Sequence, residues 1–175
     1  NEDFKTNKAF QKMNLNSSKY INNCFETAIK LIKSGFSNKL INGPISKKNF
    51  LNRKFLGMTE YFANKFKKKN VAMIIYNKSL SVCPVTTHLP LKAVTKKINK
   101  KTITQKVNLI NNFYKKNFGF KPKIAVTGLN PHCESIDVFN EDSKILIPTI
   151  KYLKKSGAKI FGPFPADTIF LKNNR

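Results

Sequence analysis

KIAVTGL, the segment from Lys123 to Leu129, is the clearest buried strand in this 175-residue sequence. It is short, apolar and rich in β-branched residues, and a polar loop follows it, which is the pattern of a strand covered on both faces. A helical pattern stands on each side of it, over residues 102–119 and 142–157. Helices that alternate with short apolar strands predict an α/β fold.

Two further apolar runs, residues 71–76 and 80–86, are separated by three polar residues and predict an antiparallel hairpin. The sheet is therefore predicted to be mixed and flanked by helices. Short strands are also predicted at residues 39–41 and 159–161. Ser17-Ser18 and Thr102 have the residue types that cap helices, and they are predicted to begin helices that end at Gly35 and near Gly119.

The net charge of +24 does not by itself indicate a nucleic-acid partner. Among the basic residues only Arg53 and Arg175 are arginine, the residue whose planar fork best recognises phosphates and base edges. The lysines are spread along the whole chain, and no RNA- or DNA-binding signature interleaves aromatic residues with them, so nucleic acid is a disfavoured partner. Three widely spaced cysteines fit a reducing compartment, and no apolar run approaches the roughly 18 residues of a membrane span. A cytoplasmic protein with no membrane partner is expected.

Both histidines of the chain, His88 and His132, lie in loops that follow predicted strands, and a proline is close to each. In open α/β sheets ligands bind outside the carboxyl ends of strands, where such loops converge. Imidazole is a good ligand for zinc and other late first-row cations. From position alone, two hydrogen-bonded loop histidines are an equally good interpretation. Four of the nine acidic residues lie between Glu134 and Asp142, next to His132. Such a cluster is unusual in a chain this basic, and it indicates a specific role for the segment.

Several loop sequences, in order and at suitable separations, resemble those of the 4-hydroxythreonine-4-phosphate dehydrogenase family of the pyridoxine pathway. They are TTHLPL at 86–91, GLNPH at 128–132 and GPFPADTIF at 162–170, with GP at 43–44 and GMTE at 57–60. The resemblance implies an incomplete fold of the isocitrate/isopropylmalate-dehydrogenase type. Residues 1–48 would be the tail of a first, flanking domain, and residues 49–175 most of a second domain that binds metal and substrate. The family's GDP-x-GIG and YHDQ segments have no counterpart here, so the chain is expected to be a portion of a longer enzyme.

The resemblance also implies a metal site. His88 and His132 match two of three histidines that bind a divalent cation, zinc in the first place, with magnesium or cobalt as alternatives. The third ligand lies in the YHDQ segment, and the site is shared across a homodimer interface. Two imidazoles alone would hold a metal weakly, and Glu134 or Asp167 could add an oxygen ligand or orient a ring.

The implied reaction is oxidation of a secondary alcohol by NAD, followed by decarboxylation. Thr59 matches a residue that contacts the phosphorylated substrate, while Met58 stands where the family usually has histidine. Lys47 could bind an anionic substrate or be a solvated lysine. Asp167 could transfer a proton or orient substrate, or it could cap the turn at 168–170. No residue is assigned to NAD.

Two other classes of function remain open at this point. One is a truncated, inactive chain that serves as a folding or dimerisation module. The other is a basic nucleic-acid-binding domain, for which only the charge argues. An NAD- and metal-dependent dehydrogenase is the leading hypothesis.

Overall fold

The structure is a computed structural model that describes residues 4–5, 12–51, 54–134 and 136–171. The chain divides into two compact units, the first extending to Lys69 and the second beginning at Asn70. The domain limit expected between residues 48 and 49 stays a prediction.

The first unit is helical, with α1 at Leu15–Lys33, α2 at Lys47–Phe50 and α3 at Met58–Lys65. Helix α1 begins with a capping box, in which the Asn14 side chain accepts from the Ser17 N–H and the Ser17 hydroxyl accepts from the Asn14 N–H, both at 2.9 Å. The cap is therefore Asn14 and not the predicted Ser17-Ser18, because Ser17 is the third helical residue of the same motif.

Aromatic side chains hold the first unit together. The buried members of its apolar cluster are Phe25, Ile29, Leu51 and Tyr61, and the Phe25 ring lies 5.2–5.7 Å from the rings of Phe50, Tyr61 and Phe62. Such tilted and edge-on pairs add to the burial of apolar area. The strand predicted at residues 39–41 is wrong, since this segment has no regular secondary structure and Ile41 is 96% exposed.

The second unit carries the sheet. Its elements are α4 (Leu91–Val94), a 3-10 turn (Thr95–Lys97), α5 (Lys100–Phe118), β1 (Ile124–Thr127), a 3-10 turn (Pro131–Cys133), a π-helical turn (Asp142–Leu146), α6 (Ile147–Lys155) and β2 (Ile160–Phe164). The cap of α5 is Asn99, which accepts from the Thr102 N–H at 3.0 Å, and not the predicted Thr102. Gly119 ends this helix with φ +78°, as its position in the sequence predicts.

Strands β1 and β2 are parallel, and α6 connects them. Ile124 pairs with Ile160 and Ala125 with Phe161, after which a bulge shifts the register so that Thr127 pairs with Phe164. One apolar cluster packs α5 and α6 against this pair of strands, and its buried members are Ile98, Ile103, Val107, Leu146, Ile150, Leu153 and Ile160. The α/β class predicted from the sequence is confirmed.

The prediction that the sheet is mixed is wrong for the described residues. Within the described ranges the regular strands form one parallel pair, and the predicted hairpin is reduced to an isolated antiparallel bridge between Ile75 and Val82. The side chains of Ile75 and Val82 are 62% and 39% exposed. A two-stranded ribbon is marginal in water, and a bridge between two exposed side chains buries little apolar surface.

No helix in the described part of the chain has the length and apolar character needed to cross a membrane.

Candidate functional site

The two loops that carry His132 and Asp167 leave the sheet at the same edge. Both follow the carboxyl ends of parallel strands, β1 and β2, which places their first residues side by side. The Gly128 N–H donates to the Phe164 carbonyl oxygen at 2.8 Å, and β2 lies against the 3-10 turn that contains His132. The sequence pattern of polar loops after strands therefore corresponds to a real edge in the second unit.

His132 occupies a left-handed backbone conformation within its turn, with φ +57° and ψ +11°. Its neighbour Cys133 follows with φ +64°. Hydrogen bonds close the turn, from the Cys133 N–H to the Asn130 carbonyl at 3.1 Å and from the Glu134 N–H to the Pro131 carbonyl at 3.2 Å. A residue with a Cβ atom in this conformation costs about 1 kcal/mol, so the surrounding structure must hold the turn. The result is an exposed imidazole on a constrained loop.

His88 shares this conformation, with φ +52°, and its side chain is also exposed. Among the described residues other than glycine, only Lys67 and Cys133 join the two histidines at positive φ. Strained backbone of this kind is concentrated at functional sites, where the neighbouring structure maintains it. Both histidines of the chain therefore have a left-handed backbone conformation, which a histidine in a loop does not generally require.

Asp142, the first residue of the π-helical turn, accepts hydrogen bonds from the loop that carries His132. Its side chain is fully buried, and Oδ1 accepts from the Leu129 N–H at 2.8 Å. Oδ2 accepts from the Asn130 N–H at 3.0 Å and from the Asn130 Nδ2 at 2.9 Å. Asn130 Nδ2 also donates to Glu141 at 3.1 Å. The sequence pattern places Asp142 at the start of a helix and within the acidic cluster beside His132, but it does not indicate that this side chain binds the loop. The feature of the sequence that could have indicated this role is an acidic residue in a very basic chain.

The negative charge of Asp167 acts on Cys133, the residue after His132. Burial raises the pKa of the Cys133 thiol, and the negative charges of Asp142, Glu134 and Asp167 raise it further, while a hydrogen bond with the Gly128 backbone lowers it. Asp167 itself is exposed in the loop after β2. The structure thus brings Asp167 close enough to the His132 turn for its charge to act there.

The other three residues predicted for the site lie in the first unit. Lys47 is exposed in the first turn of α2. Met58 and Thr59 are the first two residues of α3 and are half-buried, with Gly57 as the cap. The Met58 side chain packs against the aromatic core of this unit, which gives it a packing role at a position where a histidine was expected.

The donor set for a metal ion is incomplete within the described residues. They contain no group of three or more histidine, cysteine, aspartate or glutamate side chains placed to hold one ion. Imidazoles on exposed, constrained loops nevertheless suit a divalent cation chemically, and at least one further ligand would have to complete the site.

A strand–helix–strand unit with polar loops at the carboxyl edge is the architecture of α/β proteins that bind small ligands at that edge. Comparison with known proteins narrows this class. The chain belongs to the family of the pyridoxal phosphate biosynthetic protein PdxA, whose model matches residues 2–175.

Two relatives and one solved structure carry the same name. It is 40% identical over 149 residues to a 4-hydroxythreonine-4-phosphate dehydrogenase from Sulfurihydrogenibium sp., covering 83% of this chain and 46% of that protein. It is 35% identical over 166 residues to the enzyme of that name from Neisseria meningitidis serogroup A, covering 91% and 50%. The solved structure of 4-hydroxythreonine-4-phosphate dehydrogenase from Klebsiella pneumoniae superposes with a TM-score of 0.76 at 25% identity, covering 91% and 50%. The chain spans about half the length of the relatives it matches. The names of these relatives are those of dehydrogenases.

Proposed function

We propose that this chain is a portion of an NAD- and divalent-metal-dependent dehydrogenase that oxidises and decarboxylates 4-phosphohydroxy-L-threonine. The names of its relatives give the substrate class. The observation that carries the proposal is the left-handed backbone of both histidines, His88 and His132, in the loops that the family resemblance marks as metal-binding. The finer fold, of the isocitrate/isopropylmalate-dehydrogenase type, is part of the same proposal.

His88 and His132 would hold the metal through imidazole nitrogens, with zinc as the first choice and magnesium or cobalt as alternatives. A third ligand would come from the part of the relatives' length that this chain does not span, across a homodimer interface. When bound, such a cation polarises substrate hydroxyl and carboxylate oxygens and stabilises negative charge on them. Two imidazoles without a third ligand bind weakly, so the chain alone should show low affinity.

The remaining site residues act on the substrate directly. The Lys47 ammonium group is exposed and would pair with the phosphate, and the Thr59 hydroxyl would donate to it. Asp167 is an exposed carboxylate beside the His132 turn, and would accept the proton of the substrate hydroxyl at a carboxylate oxygen. NAD would accept the hydride, and no residue of this chain is assigned to hold it.

Met58 replaces the histidine that the family usually has at this position, which bears on how the substrate phosphate would be bound. A thioether cannot donate a hydrogen bond to phosphate or carboxylate as an imidazole does. Its packing against the first unit's core supports a structural role for this position, so the phosphate would depend on Lys47 and Thr59. We place the protein in the cytoplasm, as the cysteine spacing suggests.

Cobalt(II) chloride titrated into the chain, followed by calorimetry, tests the proposal. The unsubstituted chain should bind cobalt weakly, and His88→Ala and His132→Ala should each lower the affinity about tenfold or more. Cys133→Ser is the matched control, because Cys133 adjoins His132 and has the same backbone conformation. It should leave the affinity unchanged. Equal affinities in all four proteins would show that the histidines do not hold the metal.

A further inference from the structure

We propose that Asp142 is the positioning residue for His132. Its buried carboxylate holds the loop of residues 128–132 in the conformation that presents the imidazole at the sheet edge. The inference rests on the proposed function for the role of His132 as a ligand, but the mechanical claim about the loop can be tested without any metal.

The hydrogen bonds of Asp142 are concentrated on one short segment. Its three donors, the Leu129 N–H, the Asn130 N–H and the Asn130 amide, belong to the two residues that precede Pro131-His132. A fully buried carboxylate is costly unless its oxygens are hydrogen-bonded. Here both oxygens are used, so the loop and the carboxylate satisfy each other. Displacement of either would leave polar groups without partners.

The carboxylate is itself fixed by the core. Asn140 Oδ1 accepts from the backbone N–H of Asp142 at 2.9 Å and from that of Ser143 at 3.1 Å, which caps the π-helical turn. Leu146, at the end of this turn, is 4% exposed and belongs to the central apolar cluster. The position of Asp142 is therefore set by packing that does not involve the loop. The loop takes its position from Asp142.

Close packing above the carboxylate leaves the loop little freedom. A Cβ atom on Gly128 would lie 2.6 Å from Cys133 Sγ and 3.2 Å from Asp142 Oδ1. A side chain at Gly128 would therefore have to displace the Cys133 sulfur, which lies over the end of β1. Anchored at Leu129 and Asn130 and folded back at Cys133, the turn holds His132 between two fixed points. This is the arrangement that a strained backbone at His132 needs.

If Asp142 positions the loop, its loss should increase opening of the loop more than opening of the core. If its role is only to stabilise the fold, both should increase together. The test compares the hydrogen-exchange rates of the Leu129 and Asn130 amides with that of Ile150, a core amide of α6, in the metal-free chain. Asp142→Asn keeps the side-chain shape but has one acceptor oxygen instead of two. We expect it to raise the loop exchange rates about tenfold relative to Ile150. Val107→Ala, a control in the core of α5 and away from this turn, should raise all three rates together and leave the ratio unchanged.

The second readout is cobalt(II) affinity, measured on the same variants. Loss of a residue that orients a ligand typically lowers metal affinity about 10- to 100-fold, and Asp142→Asn should fall in this range. Val107→Ala should retain the affinity of the unsubstituted chain. If Asp142→Asn does not fold, Asn130→Ala replaces it, since it removes the side-chain donor and keeps both backbone hydrogen bonds. It should accelerate Leu129 exchange severalfold and weaken cobalt binding.

The possible results separate the two proposals. An unchanged exchange ratio in Asp142→Asn, or in Asn130→Ala where that variant is used, overturns the positioning role. An altered ratio with undiminished cobalt affinity also overturns it, because the loop would then be held for stability alone. If the unsubstituted chain binds no cobalt, the proposed metal function fails, and the exchange ratio still decides whether Asp142 holds the loop.

Discussion

Gly162 and Val126 approach each other so closely that a Cβ atom on the glycine would lie 2.5 Å from the valine carbonyl oxygen. The contact lies at the bulge where the register of β1 and β2 shifts, and Gly162 has φ +116° there. Both features exclude a side chain at the point where β2 turns toward the Asp167 loop.

Gly162→Ala should therefore lower the free energy of unfolding by about 3 kcal/mol, since it adds a backbone clash to an unfavourable φ. Gly119→Ala is the control, because Gly119 also has positive φ, at +78°, but has open space around it. It should cost about 1 kcal/mol. Urea unfolding followed by circular dichroism measures both. Equal losses would mean that β2 can move away from Val126.

The contact between Gly128 and Cys133 gives a prediction that a second substitution can reverse. Gly128→Ala should destabilise the chain by about 1–2 kcal/mol, because the new methyl group meets the cysteine sulfur. Removal of that sulfur in Gly128→Ala/Cys133→Ala should restore part of the loss. The recovery is incomplete because Asp142 Oδ1 stays 3.2 Å away. A double-mutant cycle by urea unfolding gives the coupling, and Gly43→Ala, which meets nothing within 4 Å, should be close to neutral. Additive effects would contradict the contact.

The Tyr61 hydroxyl predicts alkaline sensitivity of the first unit. Tyr61 is 4% exposed, and its hydroxyl has no hydrogen-bond partner among the described residues. Burial raises its pKa above 10.0, with Lys65 opposing and Glu26 adding to the shift. Below pH 10 the tyrosine is neutral in both states and stability is unaffected. Above it the unfolded chain loses the proton first, so stability falls as pH rises toward the folded-state pKa.

Tyr61→Phe should be neutral or stabilising by up to about 1 kcal/mol at pH 7.5, because it removes an unsatisfied buried hydroxyl. Its advantage should grow at alkaline pH. Tyr114→Phe is the control, because the Tyr114 hydroxyl donates to Ser81 Oγ at 3.1 Å, and its loss should destabilise by about 1 kcal/mol. Urea unfolding across this pH range measures both. A pH dependence of Tyr61→Phe equal to that of the unsubstituted chain would remove Tyr61 as its source. The raised pKa of Lys65, caused first by its hydrogen bond to Glu26, acts in the same direction and remains in this variant.

Local patterns predicted the parts of the fold that depend on local physics. The apolar run at 124–127 forms β1, and α5 ends where Gly119 permits a left-handed residue. Both misassigned helix caps err by three residues, with Ser17 predicted in place of Asn14 and Thr102 in place of Asn99. A capping box has polar residues at the cap and three positions later, so a single sequence leaves the choice between them open.

The missing parts depend on contacts between distant residues. The Asp142 carboxylate accepts a hydrogen bond from the Leu129 N–H, which lies 13 residues earlier in the sequence. No residue close to Asp142 in the sequence identifies Leu129 as its partner. The sequence placed His132 and Asp167 in loops after strands, which the parallel pair confirms as one edge. It did not indicate that His88 and His132 have positive φ, because no glycine or asparagine marks either position.

Asn140 offers a test of whether the cap of the π-helical turn reaches the site. Asn140→Ala removes the acceptor for the N–H groups of Asp142 and Ser143, and should lower the free energy of unfolding by about 1 kcal/mol. Asn99→Ala removes the equivalent acceptor at the start of α5 and should cost a similar amount. Only Asn140→Ala should also weaken cobalt(II) binding, since Asp142 depends on this cap and the His132 loop depends on Asp142. Calorimetric titration beside urea unfolding separates the two effects. Equal cobalt affinities in the two variants would show that the cap stabilises the helix without acting on the loop.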